Sequence, residues 1–248
     1  MSATSVASPA AGGVVPSDSV RALQHTLYRT AKADSGRRFH SLGDKIIRSD
    51  VLRRAWFQVQ RNQGASGIDR ITVDRVNEYG VTRLLDELAA EVREGRYRPL
   101  PARRVWIPKP GTSEQRPLSI PAVRDRIVQA ATKIVLEPIF EAGMCDCSFG
   151  FRPKRSAHDG LQVLVDEAWR GRRWVVETDI ANCFEAIPHD RLMQAIEERV
   201  CDQSVLKLLR VMLRAGVMTD GVGAQAGDRN PAGWGPVSDA GECVSAPG

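Results

Sequence analysis

The stretch "RRWVVETDIANCFEAIPHD", residues 172–190, runs a short apolar segment, Trp174-Val175-Val176, toward a carboxylate, Asp179, with Phe184 five positions further on. An aromatic beside two β-branched residues predicts a short buried strand. A carboxylate at the end of such a strand is costly unless it is paired, caps a helix or holds a metal ion. The commonest of these roles is a cap or a turn. The metal alternative requires further carboxylates elsewhere in the chain, because one acid cannot neutralise a divalent centre.

Upstream of this stretch, "CSFGFRPKRSAHDGL" (147–161) interleaves aromatic and basic residues in a loop, and Ser156 caps a helix that runs to Trp169. Residues 125–141 place Ile127, Val128, Ala131, Ile134 and Val135 on one helical face, with Pro138 bending or ending the helix near its last turn. Before them, "RRVWIPKPGTSEQRPLSIP" (103–121) reads as a hairpin with basic residues near its bend. Residues 81–94 carry Leu84, Leu85, Leu88 and Val92 at helical spacing, stopped by Gly95. "GASGIDRITVD" (64–74) is a turn-rich loop leading into an extended segment, and residues 20–61 read as short helices. Downstream, helices are expected near 189–200 and 203–215, after which the periodicity fails. The pattern is α+β, with helices packed on a small antiparallel sheet and a disordered N-terminal arm over residues 1–20.

Composition sets wider bounds. The 248 residues are 42% hydrophobic, enough for a sizeable core. Thirty-five Lys and Arg against 30 Asp and Glu leave a charge of +5. A polyanionic partner fits that balance, and so does a slightly basic enzyme. The five cysteines (145, 147, 183, 201 and 243) form no C-x-x-C pair and follow no export signal, so a reduced, cytoplasmic setting is expected. Cys145 and Cys147 point to opposite faces if the backbone between them is extended, which does not favour zinc. No apolar run is long enough for a membrane span, and no membrane role is expected.

Taken together, "GASGID", "IPKPGTSEQRPLSIPAVRDRIVQAA", "LEPIFEA", "CSFGFRPKRSAHDGL", "WVVETDIANCFEAIPHDRL" and "LLRVMLRAGVM" strongly resemble the group II intron reverse transcriptase/maturases over about residues 22–220, in family order and spacing. The resemblance implies a right-hand polymerase, with fingers and an N-terminal extension over 21–145 and fingers running into a partial palm over 146–222. It also implies RNA-directed DNA polymerisation with Mg2+. The implied partners are group II intron RNA, an RNA template with a DNA primer, and dNTPs. The sequence is silent on oligomeric state.

Carried over by position, Asp179 resembles the first of three catalytic aspartates and a metal ligand, and the Ile180 backbone carbonyl resembles a further ligand. Phe184 resembles the gate that selects deoxyribonucleotides. Lys109 and Arg116 resemble the finger residues that grip the triphosphate, although a basic residue in a loop is more often simply solvated. Phe149, Phe151, Arg152, Lys154 and Arg155 resemble part of the nucleic-acid track, where rings and cations meet bases and phosphates. The competing reading places both phenylalanines in the core. His158 and His189 each stand beside an Asp at a helix start, where capping and packing outweigh a general-acid role.

The family's other two aspartates form an adjacent pair after a G-T-P-Q-G-G segment, and neither feature is present after Asp179. One synonymous codon choice for Arg229–Pro247, shifted forward by a nucleotide, reads G-T-P-Q-G-G-V-P-S-P-M-L-A-N-V-F-L-H. Residues 223–248 are therefore expected to be an out-of-frame tail, disordered, with the slip near Gly221–Ala224. The expected product is a truncated, catalytically impaired reverse transcriptase. Two rivals stand beside it: a non-catalytic intron-RNA-binding module, and a pseudogene product without function.

Overall fold

A computed structural model of the chain describes residues 18–111, 113–180, 183–219 and 222–224. In chain order its elements are α1 (Ser19–Ala33), α2 (Gly43–Ile46), α3 (Ser49–Arg61), α4 (Val73–Tyr79) and α5 (Val81–Arg93), then strands β1 (Ala102–Pro108) and β2 (Gln115–Ile120). Helices α6 (Val123–Glu141), α7 (Ala157–Trp169), α8 (Cys183–Ala186), α9 (His189–Glu197) and α10 (Gln203–Leu213) follow, and short strands β3 (Val217–Thr219) and β4 (Val222–Ala224) come last.

The centre is α6. It buries Val123, Ile127, Val128, Ala131, Ile134, Val135 and Ile139, too broad a set for one stripe, so neighbours cover it on several sides. Helix α3 supplies Val51, Leu52, Ala55, Trp56 and Val59, and α1 supplies Val20, Leu27 and Ala31. A single apolar core joins α1, α3, α5 and α6 to α9 and α10. Pro138 does not end α6, which continues to Glu141. Proline lacks the N–H that would have bonded the carbonyl four residues back. That carbonyl, on Ile134, instead accepts Gln24 Nε2 from α1 at 3.1 Å.

Helix α1 begins earlier than the expected arm allows. Asp18 caps it by accepting the Arg21 N–H at 3.2 Å, its carboxylate pairs with Arg54 at 2.6 Å, and Val20 is buried. The remainder of the expected arm, residues 1–17, lies outside the described residues, as do 225–248 of the expected tail, whereas Gly223 and Ala224, expected in that disordered tail, are instead ordered in β4 by antiparallel pairing with β3. The extended segment expected after 64–74 is instead α4. The Thr72 hydroxyl accepts the Arg75 N–H at 3.3 Å, and this cap outweighs the β preference of "ITV".

Helices 81–94, 125–141 and 156–169 form within a few residues of expectation, and the hairpin forms with Val105 opposite Leu118 and Ile107 opposite Arg116. The sheet is mixed and not antiparallel throughout: its order is β2-β1-β3-β4, and β1 pairs with β3 in parallel through Ala102↔Val217. The helical crossover from α6 to α10 separates β1 and β3 and is long enough to return the chain in the same direction.

The expected buried strand at 174–176 does not form. Residues 172–180 carry neither helix nor strand, and Trp174, Val175 and Val176 are 96%, 75% and 87% exposed. A strand is stable only beside another strand and over a core, and among the described residues none pairs with this one. Helix α7 likewise buries no residue, leaving Leu161, Leu164 and Trp169 in solvent. Among the described residues no helix is long and apolar enough to cross a membrane.

Candidate nucleic-acid and nucleotide site

The hairpin is placed from below by a buried polar knot. Asp125, in the first turn of α6 and 1% exposed, accepts the Tyr97 hydroxyl at 2.7 Å and the Leu100 N–H at 3.0 Å. Burial pushes the Asp125 carboxyl above its usual range, and the two donors work against that rise. Burial, with the Asp125 charge adding to it, also pushes the Tyr97 phenol up, so it remains a donor. The knot ties the connection leading into β1 to the helix that follows β2.

The "GASGID" loop is docked under the same strands. Gly67 approaches so closely that a Cβ there would lie 2.5 Å from the Ala122 Cα and 2.7 Å from its nitrogen. Arg103 donates to the Ser66 carbonyl at 2.8 Å and 3.1 Å, and Arg126 donates to the Ala65 carbonyl at 2.6 Å. Between loop and strand lies a cleft of about 770 Å³ bordered by Arg70, Arg103, Arg104, Trp106 and Met218. The Arg104 Nε is buried with no hydrogen-bond partner among the described residues. Trp106, two residues along β1, is 47% exposed. Positive charge beside an exposed ring suits phosphates and stacked bases. The sequence signal for this cleft, "RRVW" in a strand, was present, but the loop that forms its other wall joins it only in three dimensions.

Lys109 and Arg116 stand at the bend of the hairpin. Both are exposed, and Lys109 Nζ pairs with Glu114 at 2.7 Å across the bend. Pairing between two exposed groups is worth little and yields readily to a stronger anion.

The 147–155 loop divides its residues between structure and surface. Arg152, with its side chain 8% exposed, holds both Glu141 carboxylate oxygens, at 2.7 Å and 3.1 Å, and donates to the Cys145 and Ser148 carbonyls. Arg155 lies over the Phe149 ring at 5.4 Å and pairs with Asp146. Phe149 is half-buried, so the core reading fits it in part. Phe151 is 70% exposed, at φ 54°, and Lys154 is exposed at φ 60°. The loop thus presents Phe151 and Lys154 outward while Arg152 is taken up by the protein itself. Ser156 and Asp159 complete a capping box at the start of α7, and the Ser156 hydroxyl and N–H hold the Asp159 carboxyl below its usual range.

Asp179 is exposed, and among the described residues its carboxylate accepts one hydrogen bond, from the adjoining Ile180 N–H at 2.9 Å. Ile180 is 70% exposed, and Phe184, on α8, is 47% exposed. Among the described residues no three Asp, Glu, His or Cys side chains converge on a point that could hold a cation. The described residues by themselves therefore do not assemble a two-cation centre of the kind phosphoryl transfer uses.

Residues 107–230 match the reverse transcriptase (RNA-dependent DNA polymerase) family. The chain belongs to this family. Lys109, Arg116, Phe149, Phe151, Arg152, Lys154, Arg155, Asp179, Ile180 and Phe184 all fall within the matched reverse transcriptase region, whereas Arg70 and the Arg103–Trp106 strand precede it. Over 175 residues the chain is 36% identical to the group II intron-encoded protein LtrA of Lactococcus lactis subsp. cremoris, covering 70% of this chain and 28% of that protein. Over 222 residues it is 35% identical to protein YkfC of Escherichia coli (strain K12), covering 85% of this chain and 56% of that one. It is also 32% identical over 99 residues to the mitochondrial nuclear intron maturase 2 of Arabidopsis thaliana, covering 40% and 13% respectively. The chain thus spans little more than half of YkfC and less of the other two.

Proposed function

We propose that this chain forms the fingers and part of the palm of a group II intron reverse transcriptase/maturase. In this reading it binds intron RNA and template–primer, and on its own it supports templated DNA synthesis poorly or not at all. The family reaction joins dNTPs to a primer with Mg2+, and Asp179, the Ile180 carbonyl, Phe184, Lys109 and Arg116 are the residues proposed to serve it. The observation that carries the RNA-binding part is the cleft in which Arg70, Arg103, Arg104 and Trp106 meet beside the exposed Lys109–Arg116 hairpin. The impairment is supported by Asp179, around which no other metal-ligating side chains gather among the described residues. For residues 223–248 we infer translation out of frame, supported by the codon compatibility with G-T-P-Q-G-G. The gene's nucleotides test that inference directly, and a closed neighbouring frame would reject it.

The test of function pairs two assays. Binding to a group II intron RNA domain, followed by fluorescence anisotropy across a salt series, should weaken linearly in log–log form. Lys109→Ala and Arg116→Ala should each flatten the slope by about 0.7–0.9. Trp106→Ala should cost about 1–3 kcal/mol of affinity if a base stacks there. Primer extension on an RNA template with Mg2+ should stay at the level of Asp179→Ala. Absent or salt-insensitive RNA binding would remove the RNA reading. Extension that depends on Asp179 would replace impairment with activity.

A further inference from the structure

Cys145 and Cys147 do not diverge as an extended backbone would have them. The Ser148 N–H donates to the Cys145 carbonyl at 3.1 Å, closing a turn over residues 145–148 that brings the two Sγ atoms to 2.8 Å. Both cysteines are exposed. The turn is held from outside: Arg152 donates to the carbonyls at its two ends, Cys145 at 2.5 Å and Ser148 at 2.7 Å, and Arg155 donates to the Asp146 carbonyl at 3.0 Å. Arg152 is itself fixed on Glu141, at the end of α6. The thiols are therefore held together by a scaffold that does not depend on any bond between them, the arrangement that raises the effective concentration of one group at another.

The other described cysteines are differently placed. Cys201 Sγ donates to the Phe39 carbonyl at 3.4 Å, and Cys183 is half-buried on α8.

We propose that Cys145 and Cys147 are a dithiol–disulfide site, oxidised by low-molecular-weight disulfides such as glutathione disulfide, on the loop that carries Phe149, Phe151 and Lys154. The Cys147 thiol and N–H beside Cys145 hold the Cys145 thiol below its usual range, with the Asp146 charge working in the opposite direction. Cys145 is accordingly the attacking thiolate. It displaces one glutathione thiolate and forms a mixed disulfide. Cys147, deprotonated to solvent, then attacks the Cys145 sulfur and displaces the second glutathione thiolate. Two protein thiols are oxidised to one disulfide, and one glutathione disulfide is reduced to two glutathione molecules.

The experiment exposes the native chain to glutathione disulfide, traps free thiols by alkylation and maps tryptic peptides. The peptide Ile134–Lys154 contains both thiols and no other cysteine, since Arg152 is followed by proline. It is expected to escape alkylation at both sites, to be lighter by both thiol hydrogens, and to regain alkylation after dithiothreitol. Cys145→Ser and Cys147→Ser should each abolish ring closure. Closure should be at least ~10-fold faster in the native chain than in the urea-unfolded one, reflecting the preset turn. Full alkylation of both thiols, stable glutathione adducts without ring closure, or equal rates in native and unfolded chains would each overturn the proposal.

Discussion

Gln24 Nε2 donates at 3.1 Å to the Ile134 carbonyl, the acceptor that Pro138 leaves without its helical N–H. One helix thereby repairs a gap in another, 110 positions away in sequence. Removing the amide leaves a part-buried carbonyl unpaired, which costs about 1–3 kcal/mol. Gln24→Leu should lower the urea midpoint accordingly. In a Pro138→Ala background, where the introduced alanine can supply the N–H, the same substitution should cost less, and the difference between the two backgrounds measures the repair. Equal costs would show that Gln24 acts by packing alone.

Asp202 joins two helix starts. Its Oδ1 accepts the Ser204 and Val205 N–H groups of α10, at 2.9 Å and 3.3 Å, and its Oδ2 accepts those of Leu42 and Gly43 at the start of α2, at 2.6 Å and 2.9 Å. Burial acts to raise its carboxyl, but the Ser204 hydroxyl and these N–H donors outweigh it and hold the group at about 2, against an ordinary 3.8. A carboxylate depressed in the folded state contributes stability that is fully present above its unfolded value and is lost as pH falls through the folded one. The gap between wild type and Asp202→Asn should therefore be constant above about pH 5 and shrink toward pH 2. Because the group is partly exposed, its plateau should be on the order of 1–2 kcal/mol. Chemical denaturation at several pH values reads it directly, and a gap that widened toward pH 2 would contradict the assignment.

Gly67→Ala should be costly where Gly150→Ala is not. At Gly67 a methyl meets the Ala122 backbone at 2.5 Å, whereas at Gly150 nothing lies within 4 Å. Backbone cannot step aside as a side chain can, so about 1–3 kcal/mol is expected at Gly67, together with displacement of the loop that walls the basic cleft. Thermal melting of the two variants and RNA affinity measured side by side check this. Equal melting temperatures would contradict it.

Tyr97→Phe should cost about 1–3 kcal/mol by depriving the buried Asp125 of a donor. The loss should be smaller at acid pH. Deleting the donor raises the Asp125 carboxyl further, and a carboxyl raised above its unfolded value destabilises the fold only where the unfolded state is ionised. Urea titrations near pH 4 and pH 7 make the comparison, and a loss independent of pH would assign the effect to packing.

Much of this protein was settled locally. Periodic apolar residues with nearby caps or stops define α5, α6 and α7, and the proline- and glycine-bearing bend defines the β1–β2 hairpin, because these signals act within a few residues. Linked motifs in order were enough to place the chain among reverse transcriptases. Tertiary structure decided what depended on distant partners. Residues 174–176 have strand-forming side chains but no neighbouring strand among the described residues, so they stay exposed, and with them Asp179. Pro138 does not break α6 because Gln24 is there to satisfy its orphaned carbonyl. Arg152 looked like a surface cation and is instead the clamp that holds Cys145 beside Cys147, since Glu141 reaches it only after the chain has folded back. Local preference names what each segment can become, and the energy of a paired strand, a satisfied carbonyl or a clamped turn comes from residues that sequence order alone does not bring together.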